Sequence, residues 1–186
     1  MASIFGHAIT AIALGKSFSK TMISYKFWIL GVLCSILPDA DVIGFSFDIK
    51  YHSFWGHRGF SHSILFAFIL GGLVTVLFYR KQTFSFNGGL YILFFTLCTA
   101  SHGILDALTT GGLGVAFFSP FNNTRYFFPW RPIQVSPIGV ERFFGERGLK
   151  VISSELIWIG IPSILYIAVA IFFKRSNRRI NGKQSH

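Results

Sequence analysis

Leu90–Leu108, LYILFFTLCTASHGILDAL, reads as a single helix that changes character along its length. From Leu90 to Ala100 no side chain carries a charge, and the whole run Leu90–Leu108 is long enough to cross the hydrocarbon core of a bilayer, which takes roughly 17–25 residues. Beyond Ser101 come His102 and Asp106, four residues apart and therefore on one helical face. An ionisable group at membrane depth is costly, so its default reading is functional. The stretch predicts a transmembrane helix that ends in a site.

Composition supports the bilayer as solvent. The 186 residues are 52% apolar and 18% aromatic, with 23 Phe, and only 13% are charged. A soluble domain carries about 25% charge. The formal net charge of +10 is read as retention of cytoplasmic loops and not as nucleic-acid binding. No basic helix carries interleaved stacking aromatics in a polar context. Cys34 and Cys98 lie inside apolar runs and no CxxC pair exists, so a thiolate zinc site is not expected. Cys98 stands four residues before His102 and stays a distant ligand candidate. The N-terminal segment lacks a basic n-region and is read as retained.

Two further runs are long enough to span, Ser63–Tyr79 and Leu156–Phe173. The runs Ile4–Leu14 and Phe27–Leu37 are shorter, and each is either a short spanning helix or a re-entrant one. Lys16, Lys20 and Lys26 follow the first run, Arg80 and Lys81 follow the third, and Lys174, Arg175, Arg178, Arg179 and Lys183 follow the last. None of these groups contains an acid, so the positive-inside rule places all three in the cytoplasm. The predicted architecture is an all-α polytopic transmembrane bundle of about five membrane helices over residues 1–175. The N-terminus lies outside and the C-terminus inside. A basic polar tail over 176–186 is expected to be disordered.

This topology was set from cations alone, yet it gathers the other ionisable residues at the outer face. His7 begins the first run, Asp39 and Asp41 follow the second in Leu37–Asp41 (LPDAD), and His57 and His62 precede the third in Gly56–Ser63 (GHRGFSHS). His57 and His62 bracket a glycine turn, with Ser61 as the expected N-cap of the third helix. Pro38 ends the second helix, and Asp39 and Asp41 can both point inward only from an extended or turn conformation. His52 reads equally as a solvated loop residue, and Asp48 has no positional argument.

Histidine and aspartate without thiolate suit zinc, manganese or iron. Seven candidates, His7, Asp39, Asp41, His57, His62, His102 and Asp106, exceed the needs of one tetrahedral ion. That points to ions sharing carboxylates, as in phosphoester hydrolysis. Asp39, Asp41, His57 and His62 are the expected catalytic groups. Ser61 and Thr109 are expected to orient ligands through hydrogen bonds. Arg125 and Arg131, among the aromatics of the long loop, are expected to bind substrate phosphate, and Arg58 either joins them or pairs with Asp39 or Asp41. The aromatics suit the membrane interface, so a phosphorylated lipid fits the loop.

Gly6–His7, Pro38–Asp41, His57–Ser63 (HRGFSHS) and Ser101–Thr109 (SHGILDALT) occur in the order found in the YdjM-like family of membrane-bound proteins, which this sequence resembles from residue 1 to about 175. Ser119–Phe121, Tyr126–Ile133 (YFFPWRPI) and Ser136–Ile138 also look like that family. The resemblance implies a membrane-bound, metal-dependent hydrolase, distantly similar to the zinc-dependent phospholipase C and P1 nuclease group. Those enzymes hold a cluster of zinc ions with histidine and aspartate, including an HxxxD helix pair like His102 and Asp106. The expectation is a hydrolase with one to three ions, zinc first, acting on a lipid phosphate or phospholipid head group. An ion or solute transporter, and a non-catalytic membrane protein with a structural metal, are the alternatives.

Overall fold

The computed structural model describes residues 1–137 and 143–183. Ile138 and residues 184–186 of the predicted tail therefore lie outside the described residues. Among those described, the chain forms five helical rods and no strand, with isolated bridges only at Thr109–Ile133 and Val115–Tyr126.

Serine starts four of the rods. Ser3, Ser24, Ser63 and Ser85 accept backbone N–H bonds from Gly6, Phe27, Phe66 and Gly88. Each thereby satisfies an orphan donor at the N-terminus of α1 (Ile4–Gly15), α2 (Tyr25–Ile36), α3 (Ile64–Phe78) or α4 (Phe86–Ala107). The cap of α3 is Ser63 and not Ser61, because Ser61 lies inside a 3-10 turn over Phe60–His62 that precedes the helix. That turn frees the Ser61 hydroxyl for other work.

Pro38 ends α2 as an α-helix but not as a rod. The chain continues through a 3-10 segment, Leu37–Phe47, so Tyr25–Phe47 is an apolar rod of 23 residues. The fifth rod begins earlier than hydropathy suggests. It comprises α5 (Glu146–Glu155), a π turn over Leu156–Gly160 and α6 (Ile161–Lys183). Pro162 has no N–H to donate back along the helix, and the wider turn precedes it. The α6 backbone is helical to Lys183, well into the segment read as a tail.

Three rods are long and apolar enough to span: Tyr25–Phe47, Phe86–Ala107 and Glu146–Ser176. The expected spans Leu90–Leu108 and Leu156–Phe173 lie in two of them. The expected span Ser63–Tyr79 yields only the 15 residues of α3, and α1 has 12. At 1.5 Å per residue these reach about 22 and 18 Å, short of a hydrocarbon core of roughly 30 Å. The lengths of the second and third runs are thus exchanged relative to their hydropathy. The acids after Pro38 hide a helical continuation, and Ser63 is spent as a cap.

α4 is the central rod, with α1, α2 and α3 packed on it. Phe27 and Phe94 stack at 3.9 Å in a core with Tyr91, Phe95, Cys34 and Cys98. At Gly71, α3 comes so near α4 that a Cβ would lie 2.8 Å from the Thr96 backbone nitrogen. Small residues permit this closeness where lipid supplies no hydrophobic drive between helices. The up-and-down order brings the start of α1, the end of α2, the start of α3, the end of α4 and the α5–α6 junction to one end of the bundle. At the other end Lys26 donates to the Phe78 carbonyl, and Lys174 to those of Lys16 and Phe18.

Candidate metal centre

Four rods each send acidic or imidazole groups into one buried space. Asp39 comes from the 3-10 extension of α2, His62 from the turn before α3, His102 and Asp106 from the last turns of α4, and His7 from the first turns of α1. All five are buried.

His102 is the fixed point. Its Nδ1 lies 2.7 Å from the Ser35 carbonyl, which can only accept, so Nδ1 carries the proton and Nε2 presents a lone pair inward. That Nε2 lies 3.0 Å from His62 Nε2, 3.2 Å from Asp39 Oδ1 and 4.0 Å from Asp106 Oδ2. His62 Nε2 lies 3.7 Å from Asp39 Oδ1 and 3.6 Å from Asp106 Oδ2. A tetrahedral zinc ion, with bonds of about 2.0–2.2 Å, sets its donors roughly 3.3–3.5 Å apart. The five distances, 3.0–4.0 Å, bracket that value. Asp39, His62, His102 and Asp106 thus form a group that could hold a divalent ion.

The second oxygens of the same carboxylates face His7. Its Nε2 is 3.7 Å from Asp106 Oδ1 and 4.0 Å from Asp39 Oδ2. Neither ring nitrogen of His7 and neither oxygen of Asp39 has a well-formed hydrogen bond within the protein. Buried polar groups are nearly always satisfied, so His7 Nε2 and the two Asp39 oxygens, which turn toward the other donors, point to a cation. His7 also stacks on His102 with centroids 3.7 Å apart.

Asp41 and His57 sit one layer further out. Asp41 Oδ1 lies 2.6 Å from His57 Nδ1, while Oδ2 accepts from Ser61 Oγ at 2.6 Å and Arg58 N at 3.1 Å and meets His62 Nδ1 at 3.1 Å. In a 3-10 helix residues two apart diverge by about a third of a turn. Asp39 and Asp41 therefore do not share a face but take opposite sides of His62. Asp41, His57 and His62 form a second group close enough to hold an ion, although Asp41 already has four partners. Burial depresses the His57 pKa below the ordinary imidazole range, against the pull of Asp41. Burial opposes charge on His62 too, but the nearby carboxylates of Asp106, Asp39 and Asp41 outweigh this and raise its pKa to about 10.

The arginines depart from their expected roles. Arg58 is fully buried and pairs with Asp106 (Nε to Oδ2, 2.9 Å), not with Asp39 or Asp41. It also donates to the Gly111 carbonyl at 2.8 Å and the Thr109 hydroxyl at 3.0 Å. Its φ of 63° lies in the left-handed region, a conformation that persists only where many contacts fix it. Arg125 donates to the carbonyls of His57, Tyr51 and Ser53. Both guanidinium groups are thus spent on the protein itself, because the loop's carbonyls compete with any external anion. Arg131 is exposed, with its guanidinium 4.6 Å over the Phe127 ring. Thr109 steers Arg58 and not a ligand histidine. His52 and Asp48 are exposed, and Cys98 belongs to the apolar core.

Glu155 escaped the sequence reading. It is buried at the α5–α6 junction and accepts from the backbone N–H and the hydroxyl of Ser3. It therefore anchors the start of α1, one turn before His7. Gly6 permits the approach, since a Cβ there would lie 2.8 Å from Ile159 Cδ1. The available signal was an acid directly abutting the apolar run from Leu156.

The family described as YdjM inner membrane protein matches residues 1–177. Among individual proteins, the inner membrane protein YbcI of Escherichia coli is 36% identical over 177 residues, covering 94% of this chain and 100% of that protein. No solved structure matches.

Proposed function

The chain belongs to the YdjM family and is an integral inner membrane protein, and we propose that it is a metal-dependent hydrolase that cleaves phosphoesters of membrane lipids. One observation carries the reading. Asp39 and Asp106 each turn one oxygen toward His62 and His102 and the other toward His7. Carboxylates so placed would hold divalent ions of the kind that serve phosphoryl displacement. The first position has four protein donors, which suits a closed, structural ion. His7, with the second oxygens of Asp39 and Asp106, would hold a further ion, and the Asp106 oxygen there also accepts from the Ala2 N–H.

The nitrogen and oxygen donors suit zinc best, with manganese or iron as substitutes. A bound divalent ion supplies Lewis acidity, polarising a phosphoryl oxygen and acidifying water. The protein supplies the rest. Asp41 orients His62 through Nδ1, as partners of metal-binding histidines do. Arg58 offsets the charge of Asp106. His57, kept neutral by burial and held at Nδ1 by Asp41, has Nε2 left to accept the proton of the attacking water. Water then adds to phosphorus, the ester P–O bond breaks, and the proton passes to the leaving oxygen. The loops bearing Lys16, Lys20, Lys26, Arg80 and Lys81 mark the opposite end as cytoplasmic, so we place the site on the non-cytoplasmic face, with the C-terminus inside.

A purely structural metal is the second reading, favoured by the four buried donors of the first position. Metal content and phosphate release, measured together in detergent-purified protein, separate the two. Asp106→Ala is expected to lose both. His57→Ala is expected to keep the metal and lose release of phosphate from short-chain phosphatidic acid. Full metal with no phosphate release from wild type, over a panel of lipid and soluble phosphoesters, supports the structural reading. Wild type without metal refutes both.

A further inference from the structure

α2 and α3 both lie along α4 but scarcely touch each other. At the site end, the 3-10 extension of α2, the loop after it and the start of α3 enclose a cleft of about 280 Å³. Ile49, Trp55, Phe60 and Phe66 line it, with Asp41 and Ser61 as its polar members. The aromatic wall is continuous, with Trp55 and Phe66 each 5.7 Å from Phe60, edge to face. α3 and the α2 rod also expose Leu33, Leu37, Ile64 and Phe68. Ile43, Phe45 and Phe47 on the 3-10 extension, and Trp55 itself, are also exposed, as residues at a membrane interface are.

We propose that this cleft between the 3-10 extension of α2 and the start of α3 binds one hydrocarbon chain of a phosphorylated lipid, admitted sideways from the bilayer. The inference rests on the phosphoester-hydrolase reading and names the substrate subsite for it. Three features support it. The lining is apolar and aromatic apart from one hydroxyl and one carboxylate. That carboxylate touches His57 and His62, so a lipid lying in the cleft would present its head group toward the buried donors. The volume is at the lower edge of the roughly 300–1,000 Å³ of ordinary ligand pockets, which suits a chain segment and not a whole lipid. An aqueous substrate would gain nothing from a lateral opening walled by tryptophan and phenylalanine.

The experiment places the full-length protein in nanodiscs with phosphatidic acid that carries a diazirine on one acyl chain. Photolabelled residues are mapped by mass spectrometry in wild type and in Ile49→Trp, which fills the cleft and replaces none of the metal-binding residues. Labelling is expected at Phe60 and Phe66, reduced at least fivefold in Ile49→Trp. Labelling at Ile164 and Leu165, exposed on α6, serves as the internal reference and should not change. The same variant should lose tenfold or more in kcat/KM for dioleoyl phosphatidic acid, but stay within twofold of wild type on the water-soluble dibutyryl form. Equal labelling of cleft and α6, or an equal loss on both substrates, overturns the proposal. If wild type cleaves neither substrate, the hydrolase reading fails, and labelling alone decides whether the cleft holds a chain.

Discussion

Asp41→Asn tests whether Asp41 is a ligand or the group behind one. The Asp41 carboxylate has four neighbours: His57 Nδ1, His62 Nδ1, the Ser61 hydroxyl and the Arg58 N–H. Asparagine with its oxygen in the Oδ2 position keeps Ser61, Arg58 N and His62. Its amide nitrogen then meets His57, which must change tautomer to accept. The substitution therefore trades charge-assisted bonds, worth about 1.5–3 kcal/mol each, for neutral ones worth about 1 kcal/mol. The net loss for the orientation of His62 is about 1–2 kcal/mol, a factor of roughly 5–30 in zinc affinity, in line with the 10–100-fold typical of groups that orient metal-binding histidines. Asp39→Asn removes a direct donor from both proposed positions and should lose the metal altogether. The assay is zinc titration against a chelator of known affinity, at fixed pH in detergent, for wild type and both variants. Equal, complete loss in Asp41→Asn would make Asp41 a ligand. Unchanged affinity would show that its hold on His62 does not matter.

Three other outcomes follow from the geometry. Arg58→Met leaves the fully buried Asp106 carboxylate without its ion pair and should cost about 3–5 kcal/mol of stability in metal-free protein, read by chemical denaturation in mild detergent; a cost under 1 kcal/mol would show that the pair is not needed. Glu155→Ala strands the backbone N–H and hydroxyl of Ser3 and should cost about 2–4 kcal/mol, with hydrogen exchange rising first in α1; exchange unchanged there would remove Glu155 as its anchor. With its pKa raised to about 10, His62 is protonated in the metal-free protein at neutral pH, so zinc must displace that proton. Apparent zinc affinity should then rise about tenfold per pH unit between pH 6 and 8 for each proton released. Calorimetry in two buffers of different ionisation enthalpy counts the protons, and pH-independent affinity would contradict a charged His62.

Much of this protein is legible in one dimension because lipid imposes strict rules. Apolar runs give the rods, acid-free basic loops give the alternation, and alternation alone sends His7, Asp39, His62, His102 and Asp106 to one end. The spacing of His102 and Asp106 is a property of a single helix, so it too is readable. What the sequence did not determine depends on how the chain bends between rods. That Leu37–Phe47 continues as a 3-10 helix follows from packing against the other rods, and this sets Asp39 and Asp41 on opposite sides of His62. Arg58 and Arg125 look like anion-binding residues from their neighbours in sequence. Only the folded loops show that Asp106 and the carbonyls of residues 51–57 and 111 claim them first. Glu155 acquires its partner from the far end of the chain, across 152 positions. Local patterns fix which residues reach the site; the order of layers around the donors comes from long-range contacts, which no local pattern encodes.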